Sequence, residues 1–433
     1  MSAAMSNVRQ LFPDRPVLGH FVRIGNTGYQ QIEELLEKGR VTIDRAVFDA
    51  GLMDRQEGLF RGLARAGSDL ILDPNVAELS SLRHFDGALK TAPWAIAGRP
   101  LSLEDFRGIQ GLERIGRIAE FAVKYKFHTV LAPTHLLMTG SRDAAFRLDL
   151  ELSEKLRAAL DVAGGESIAI DYPLILAAGV LKDAKFSEAF VRAVQNLPIE
   201  NVWVRSSGFG STVTPIAIVR YVRSLREVLQ ASRPIIVDGA AGLAGLAALA
   251  FGAAVGLAHG IGVHESFKAS EWQNKRPTTG GGQPKRILIN ALDRQLKSEQ
   301  MQAILDATNG RRLISCNEPH CCPSGLKDMQ DYPKAHYLYQ RRYPIEALSR
   351  VPYSRRGDQF VTRIVGPVVD EARNLDRLRI TDFSAKKTIT ESRDRIERIY
   401  EVLEHFHANN DITEHVPSLR DRRSALSHQT KGQ

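Results

Sequence analysis

Apolar and polar positions alternate in blocks along the first part of the chain. Each short, β-branched apolar run is followed by a stretch with helical spacing. Residues 16–24 (PVLGHFVRI) predict a first strand, and 29–38 a helix after it. Strands at 45–49 (RAVFD) and 69–73 (DLILD) flank a helix at 54–66. A long irregular insertion, 74–105, precedes a helix at 112–124. Further strands are predicted at 128–132, 167–171 (SIAID), 201–205 (NVWVR), 234–238 (PIIVD) and 254–258. Helices at 148–162, 187–196, 214–231 and 242–251 separate them. The strands are apolar throughout, as strands covered on both faces must be. Eight such alternations over about 260 residues predict a parallel (β/α)₈ barrel. An open doubly wound sheet is the competing arrangement, but no G-x-G-x-x-G follows the first strand.

Beyond Val263 the pattern changes. Residues 274–284 (NKRPTTGGGQP) read as a Gly/Pro-rich loop, 286–290 as a short strand and 298–308 as a helix. Residues 384–407 form an amphipathic helix, opened by Ser384 and closed by His407. Its apolar stripe is Ile389, Ile396, Ile399, Leu403 and Phe406, a face suited to a protein partner or a second copy. The expected organisation is a barrel at 1–268, a Cys/His subdomain at 269–340, a basic helical extension at 341–410 and a disordered tail at 411–433.

Composition changes this picture little. Of 433 residues, 43% are hydrophobic and 25% charged, which is ordinary for a chain with a packed core. No apolar run is long enough for a membrane span, and the start of the chain lacks a signal core, so a cytoplasmic protein is expected. The net charge of +8 suits a polyanion such as nucleic acid, with Arg341, Arg342, Arg350, Arg355 and Arg356 as candidate phosphate contacts.

Function in such a barrel collects at the C-terminal ends of the strands. The predicted ends carry His20, Asp49, Asp73, His135, Asp171, Arg205, Asp238 and His259. Any one aspartate there can simply cap the next helix, but eight ionisable groups exceed what packing needs. Asp73, Asp171, Asp238 and His259 are the candidate catalytic groups, suited to acid–base or covalent carboxylate chemistry. His20, Asp49, His135 and Arg205, with Ser206, Ser207 and Gly208, are candidate substrate contacts. Asp238-Gly-Ala-Ala-Gly242 is similar to the phosphate-binding turn of flavin-dependent barrels, which leaves a small-molecule enzyme as an alternative. A non-catalytic nucleic-acid or partner-binding scaffold is another.

All three cysteines lie within seven residues, in CNEPHCC, a pattern for metal rather than disulfides. Cys316, Cys321, Cys322 and His336 offer a Cys₃His set for one structural zinc ion, with His320 able to replace a cysteine. A barrel followed by this set resembles the tRNA-guanine (queuine and archaeosine) transglycosylases and their DNA 7-deazaguanine relatives. The resemblance runs from the third strand to about Leu338 and lies in order and layout more than in motif identity. It implies that Asp73 contacts an exchanged guanine-type base and that Ser207-Gly-Phe-Gly stands where the family has Gly-Gly-Leu. It implies zinc at Cys316, Cys321, Cys322 and His336, and tRNA or DNA as partner. Two departures stand out. The family's nucleophilic aspartate follows the eighth strand, where this chain has Gly256-Leu-Ala-His259-Gly. Its C-x-C-x-x-C spacing is here C-x₄-C-C. Either Asp171 or Asp238 supplies the carboxylate, or the scaffold persists without the reaction.

Overall fold

A computed structural model describes residues 17–210, 213–229, 233–262, 265–275, 285–409 and 419. Its strands are β1 (Gly19–Ile24), β2 (Arg45–Asp49), β3 (Asp69–Asp73), β4 (Thr129–Leu131), β5 (Leu136–Leu137), β6 (Ala169–Leu176), β7 (Val202–Ser206), β8 (Ile235–Asp238) and β9 (Gly256–Gly260). All pair in parallel, and β9 returns to β1 in register from Gly19↔Gly256 to Arg23↔Gly260. β5 is a two-residue strand beside the end of β6, so eight strands close the wall. The chain is a (β/α)₈ barrel with a C-terminal extension.

Successive side chains on a strand point to opposite faces. Phe21, Val47, Ile71, Leu131, Trp203, Ile236 and Ala258 point inward and fill the barrel as one apolar cluster. Phe21 meets Trp203 edge to face at 4.9 Å. Leu419, from the tail expected to be disordered, is buried in this same cluster. The rest of that tail after Asn409 lies outside the described residues, as do residues 276–284 of the expected Gly/Pro loop. Outward-facing residues pack against the helices. β6 departs most from expectation. It continues from Asp171 through Tyr172 to Leu176, although Pro173 has no N–H to give to a ladder.

The helix Pro333–Ser349 touches β1 and the helices Tyr29–Glu37 and Gly242–Ala250. It therefore fills the eighth helical position of the barrel. The cysteine cluster lies in the excursion between β9 and this helix. The excursion also holds an antiparallel hairpin, β10 (Arg286–Ile289) and β11 (Arg294–Lys297). The amphipathic helix spans Phe383–Ala408 and packs on Gly366–Asp376 and Pro215–Leu229. Ile389, Ile396, Ile399, Leu403 and Phe406 are all buried within the chain. The apolar stripe between Ser384 and His407 thus meets its own barrel and extension, which corrects its reading as a partner face. No described helix is long and apolar enough to cross a membrane.

One buried charge cluster joins extension to barrel. Arg341 donates from Nε to Glu265 at 2.9 Å and from Nη1 to Asp293 at 3.1 Å. Asp293 also accepts from Arg395 at 2.9 Å and from the Leu243 N–H at 3.2 Å. Gly242 opens that helix at φ +65°, and a Cβ there would lie 2.2 Å from Asp293 Oδ1. Asp293→Ala would take a shared carboxylate from buried Arg341 and half-buried Arg395, leaving Arg341 with Glu265. It is expected to cost about 3–5 kcal/mol, read as a lower urea midpoint at unchanged slope.

Candidate active site and metal centre

The inward positions one step above the apolar layer form the barrel mouth. They carry Arg23 on β1, Asp49 on β2, Asp73 on β3, Arg205 on β7 and Asp238 on β8. These groups form a continuous arc. Arg205 donates to Glu78 at 2.6 Å and twice to Asp238 Oδ2, at 2.9 and 2.6 Å. Arg23 donates to both Asp238 oxygens, at 2.9 and 2.7 Å, and to Asp73 Oδ2 at 2.7 Å. Asp73 Oδ1 accepts the Asn75 N–H at 2.8 Å, and Asn75 Nδ2 donates to Asp49 Oδ1 at 2.9 Å. Asn75 takes a left-handed backbone (φ 56°) to serve both carboxylates.

The electrostatics divide the three aspartates. Burial alone would raise the Asp238 pKa, but Arg205 and Arg23 hold it at about 2. Asp238 is a permanent anion that organises the arc. Burial raises Asp73 against the pull of Arg23. Burial, and then the charge of Asp73, push Asp49 up to about 7.

Several predicted residues lie elsewhere. Asp171 sits at the opposite end of the barrel from the mouth, because β6 starts only two residues before it. Its oxygens accept from Asn201 N and Nδ2 and from Trp203 Nε1, at 2.8–3.1 Å. His259 falls between inward Ala258 and Gly260, so its ring points outward under Pro333–Ser349. Its Nε2 lies 2.9 Å from His20 Nε2, and its Nδ1 3.2 Å from the Tyr337 hydroxyl. His20, the second residue of β1, shares this outward face. Burial lowers both imidazole pKa values, so the pair is neutral. The inward residue ending β9 is Gly260, which offers no nucleophile. His135 bonds to Asp149 through Nδ1 (2.6 Å) and its own N–H (2.9 Å), with its ring edge against Phe106. It clamps the loop after β4 and does not join the arc.

Ser206 faces outward beside Arg205. Ser207 Oγ accepts from Ala269 N at 3.0 Å, and the Gly208 N–H reaches Phe267 O at 3.1 Å. This segment fastens the loop after β9. At the Asp238-Gly-Ala-Ala-Gly242 turn, the place a phosphate would take is filled by Asp293. Of the arginines expected on phosphates, Arg341 and Arg356 are buried. Arg356 Nε serves the carbonyls of Leu348 and Val351. Arg342 pairs with Asp44 and Glu346, whereas Arg350 and Arg355 stay exposed.

Arg23, Asn75 and Glu78 are absent from the sequence-derived set. Arg23 carried one usable signal: a charge near the end of an otherwise apolar strand, two residues after Phe21 on the same face.

The ligand atoms of Cys316, Cys321, Cys322 and His336 lie within 4.8 Å of one another. Cys321 Sγ is 3.5 Å from Cys322 Sγ and 3.3 Å from His336 Nδ1. Such separations suit sulfur and nitrogen ligands about 2.0–2.3 Å from one shared ion. His336 Nε2 is 3.0 Å from Leu288 O, an outer contact that aims Nδ1 at the thiols. Gln340 Nε2 donates to Cys316 Sγ at 3.3 Å and to Cys321 Sγ at 3.6 Å. The quartet can hold a metal ion. His320 is exposed and outside it.

No protein-family model matches the chain, and no curated protein matches it. Among solved structures, the Penicillium canescens endo-1,4-beta-xylanase XylE aligns with a TM-score of 0.36 at 11% identity, over 55% of this chain and 81% of that one. KGPDC from Streptococcus mutans aligns at 0.34 and 12%, over 59% and 94%. The type I 3-dehydroquinate dehydratase of Clostridium difficile aligns at 0.36 and 10%, over 59% and 90%. None of the three is a transglycosylase. Likenesses this slight carry no argument about substrate or chemistry, and the barrel rests on its strand pairing.

The raised pKa of Asp49 has a consequence for stability. Its favourable contribution is fully present below pH 3.8, the ordinary value, and is lost as pH rises through about 7. Asp49→Asn should therefore gain stability relative to the parent between those values and hold the gain above them. Urea unfolding at about pH 5 and about pH 8 tests this. A difference between the two proteins that does not grow with pH would contradict it.

Proposed function

We propose that the barrel mouth binds and processes a guanine-type base carried by tRNA or DNA. The observation that carries this reading is the arc itself. Guanine presents N–H donors on one edge and the O6 and N7 acceptors on the other. The mouth sets carboxylates beside guanidinium groups. Arg23 and Arg205 each spend three of their five N–H groups inside the arc, which leaves donors for acceptors on a ligand. Adenine, with no oxygen acceptor and no ring N–H on that edge, matches such a surface poorly.

Two further features support the resemblance to the transglycosylases. Asp73 stands at the mouth end of its strand, as that family would need. Cys316, Cys321 and Cys322, in the excursion between the last strand and last helix of the barrel, come together with His336 of that helix. In this reading they hold one structural zinc ion, which ties the excursion to His336 on the barrel's eighth helix. The flavin alternative loses its phosphate turn to Asp293. The mouth residue of β9, Gly260, gives no counterpart for an aspartate nucleophile there, so the reading extends to base binding and proton exchange, not to a covalent step at that strand. The net charge of +8 suits a nucleic-acid carrier.

Three measurements test these statements. Calorimetry is expected to show guanine binding in preference to adenine, weakened about 10- to 100-fold by Arg205→Ala; equal binding of both bases, or of neither, would overturn the base reading. Filter binding to tRNA and to duplex DNA is expected to show affinity that falls as salt rises. Retention no greater than that of a neutral control protein would remove the nucleic-acid partner. Elemental analysis is expected to find about one zinc per chain, lost in Cys316→Ser, and metal-free protein would remove the zinc assignment.

A further inference from the structure

Resting on the reading of the mouth as a base site, we propose that Asp49 is the catalytic group that exchanges a proton with the bound heterocycle. Both Asp238 oxygens are taken by Arg23 and Arg205. Both Asp73 oxygens are taken as well, by the Asn75 N–H and by Arg23. Asp49 is tethered through Oδ1 alone. Of the three mouth aspartates, it keeps an oxygen clear of described protein donors, and it is the more exposed member of the Asp49–Asp73 pair.

Position supports the same assignment. Asp49 and Asp73 are register partners on β2 and β3, side by side at the strand ends. Asn75 bridges them, its backbone N–H on one carboxylate and its side-chain amide on the other. Arg23 and the Asn75 N–H take up the Asp73 oxygens, and negative charge on Asp73 favours the protonated form of Asp49. A carboxyl poised near neutral pH is suited to give and take protons.

The step is a simple transfer. Protonated Asp49 gives the proton on its free oxygen to an acceptor nitrogen or oxygen of the bound base. Asp49 becomes a carboxylate, and the base gains one proton. The reverse step takes an N–H proton from the base and restores the acid. Asp73 and Asn75 act as positioning residues, and neither changes its proton count.

The test combines a direct titration with ligand binding, both on the full chain. With aspartate carboxyls labelled with carbon-13, one resonance is expected to titrate near pH 7 and to be missing in Asp49→Asn. In Asp73→Asn that titration should move to lower pH, because a neighbouring negative charge is gone. A resonance that still titrates near pH 7 in Asp49→Asn overturns the assignment, whether or not any ligand binds. Guanine affinity is then followed from about pH 5 to about pH 9. In the parent it should change by up to about tenfold per pH unit on one side of neutrality. That dependence should vanish in Asp49→Asn and return, displaced, in Asp49→Glu. Guanine binding with the same pH dependence in parent and Asp49→Asn overturns the proton role and leaves the base reading standing. Guanine binding at no pH, with the resonance still titrating, overturns the base reading and with it the proposed step.

Discussion

One buried carboxylate, shared by two guanidinium groups, sets the character of the barrel mouth. Asp238 holds Arg205 from the neighbouring β7 and Arg23 from β1, which lies beyond β9. The contact ties β7 and β8 to β1 across the end of β9 at the barrel mouth. Removing two like charges from water is costly unless a counter-ion sits between them. With Asp238 in place, each arginine can reach a second acid: Glu78 in the insertion, and Asp73 on β3. Asp73 is then fully occupied, and the proton-accepting capacity of the mouth passes to Asp49, at the end of the chain of contacts. Removal of the central anion would leave two cations facing each other and would loosen each later link.

The same period-two pleat that fills the barrel decides which ionisable residues meet there. Strand existence was readable because the β-branched runs are short, apolar and regularly spaced. Asp49, Asp73, Arg205 and Asp238 were readable because β2, β3, β7 and β8 end close to where their apolar runs end. The remaining positions turn on details that composition does not carry. One residue of register separates inward Gly260 from outward His259. β1 starts at Gly19, so His20 lies near its beginning, and Arg23 takes the mouth position. β6 runs through Pro173, which leaves Asp171 at the base. Asn75 and Glu78 belong to an irregular insertion, whose path depends on tertiary contacts such as Trp94 Nε1 donating to Pro74 O at 2.8 Å.

The Cys/His quartet was readable for a different reason. Three of its members are close in sequence, so local chain geometry nearly suffices to gather their sulfurs. His336 was readable only as a residue type at a plausible distance. What fixes it is the helix Pro333–Ser349, which presents His336 and Gln340 one turn apart to the cysteines. Tyr337 and Arg341, also one turn apart, face the barrel side. One helix thus reads two environments on two stripes.

That helix also makes closure of the barrel a late event in the history of the chain. Its place against β1 and Tyr29–Glu37 stays open until the chain has been made as far as Ser349. A ribosome delivers the chain in order, and contacts between distant segments form slowly. During that interval the outer face of β1, with His20 and Val22, is uncovered. Because His336 rides on the closing helix, the Cys/His quartet is completed in the same movement that covers this face. An ion bound there would act as a latch on the finished barrel as much as a local brace.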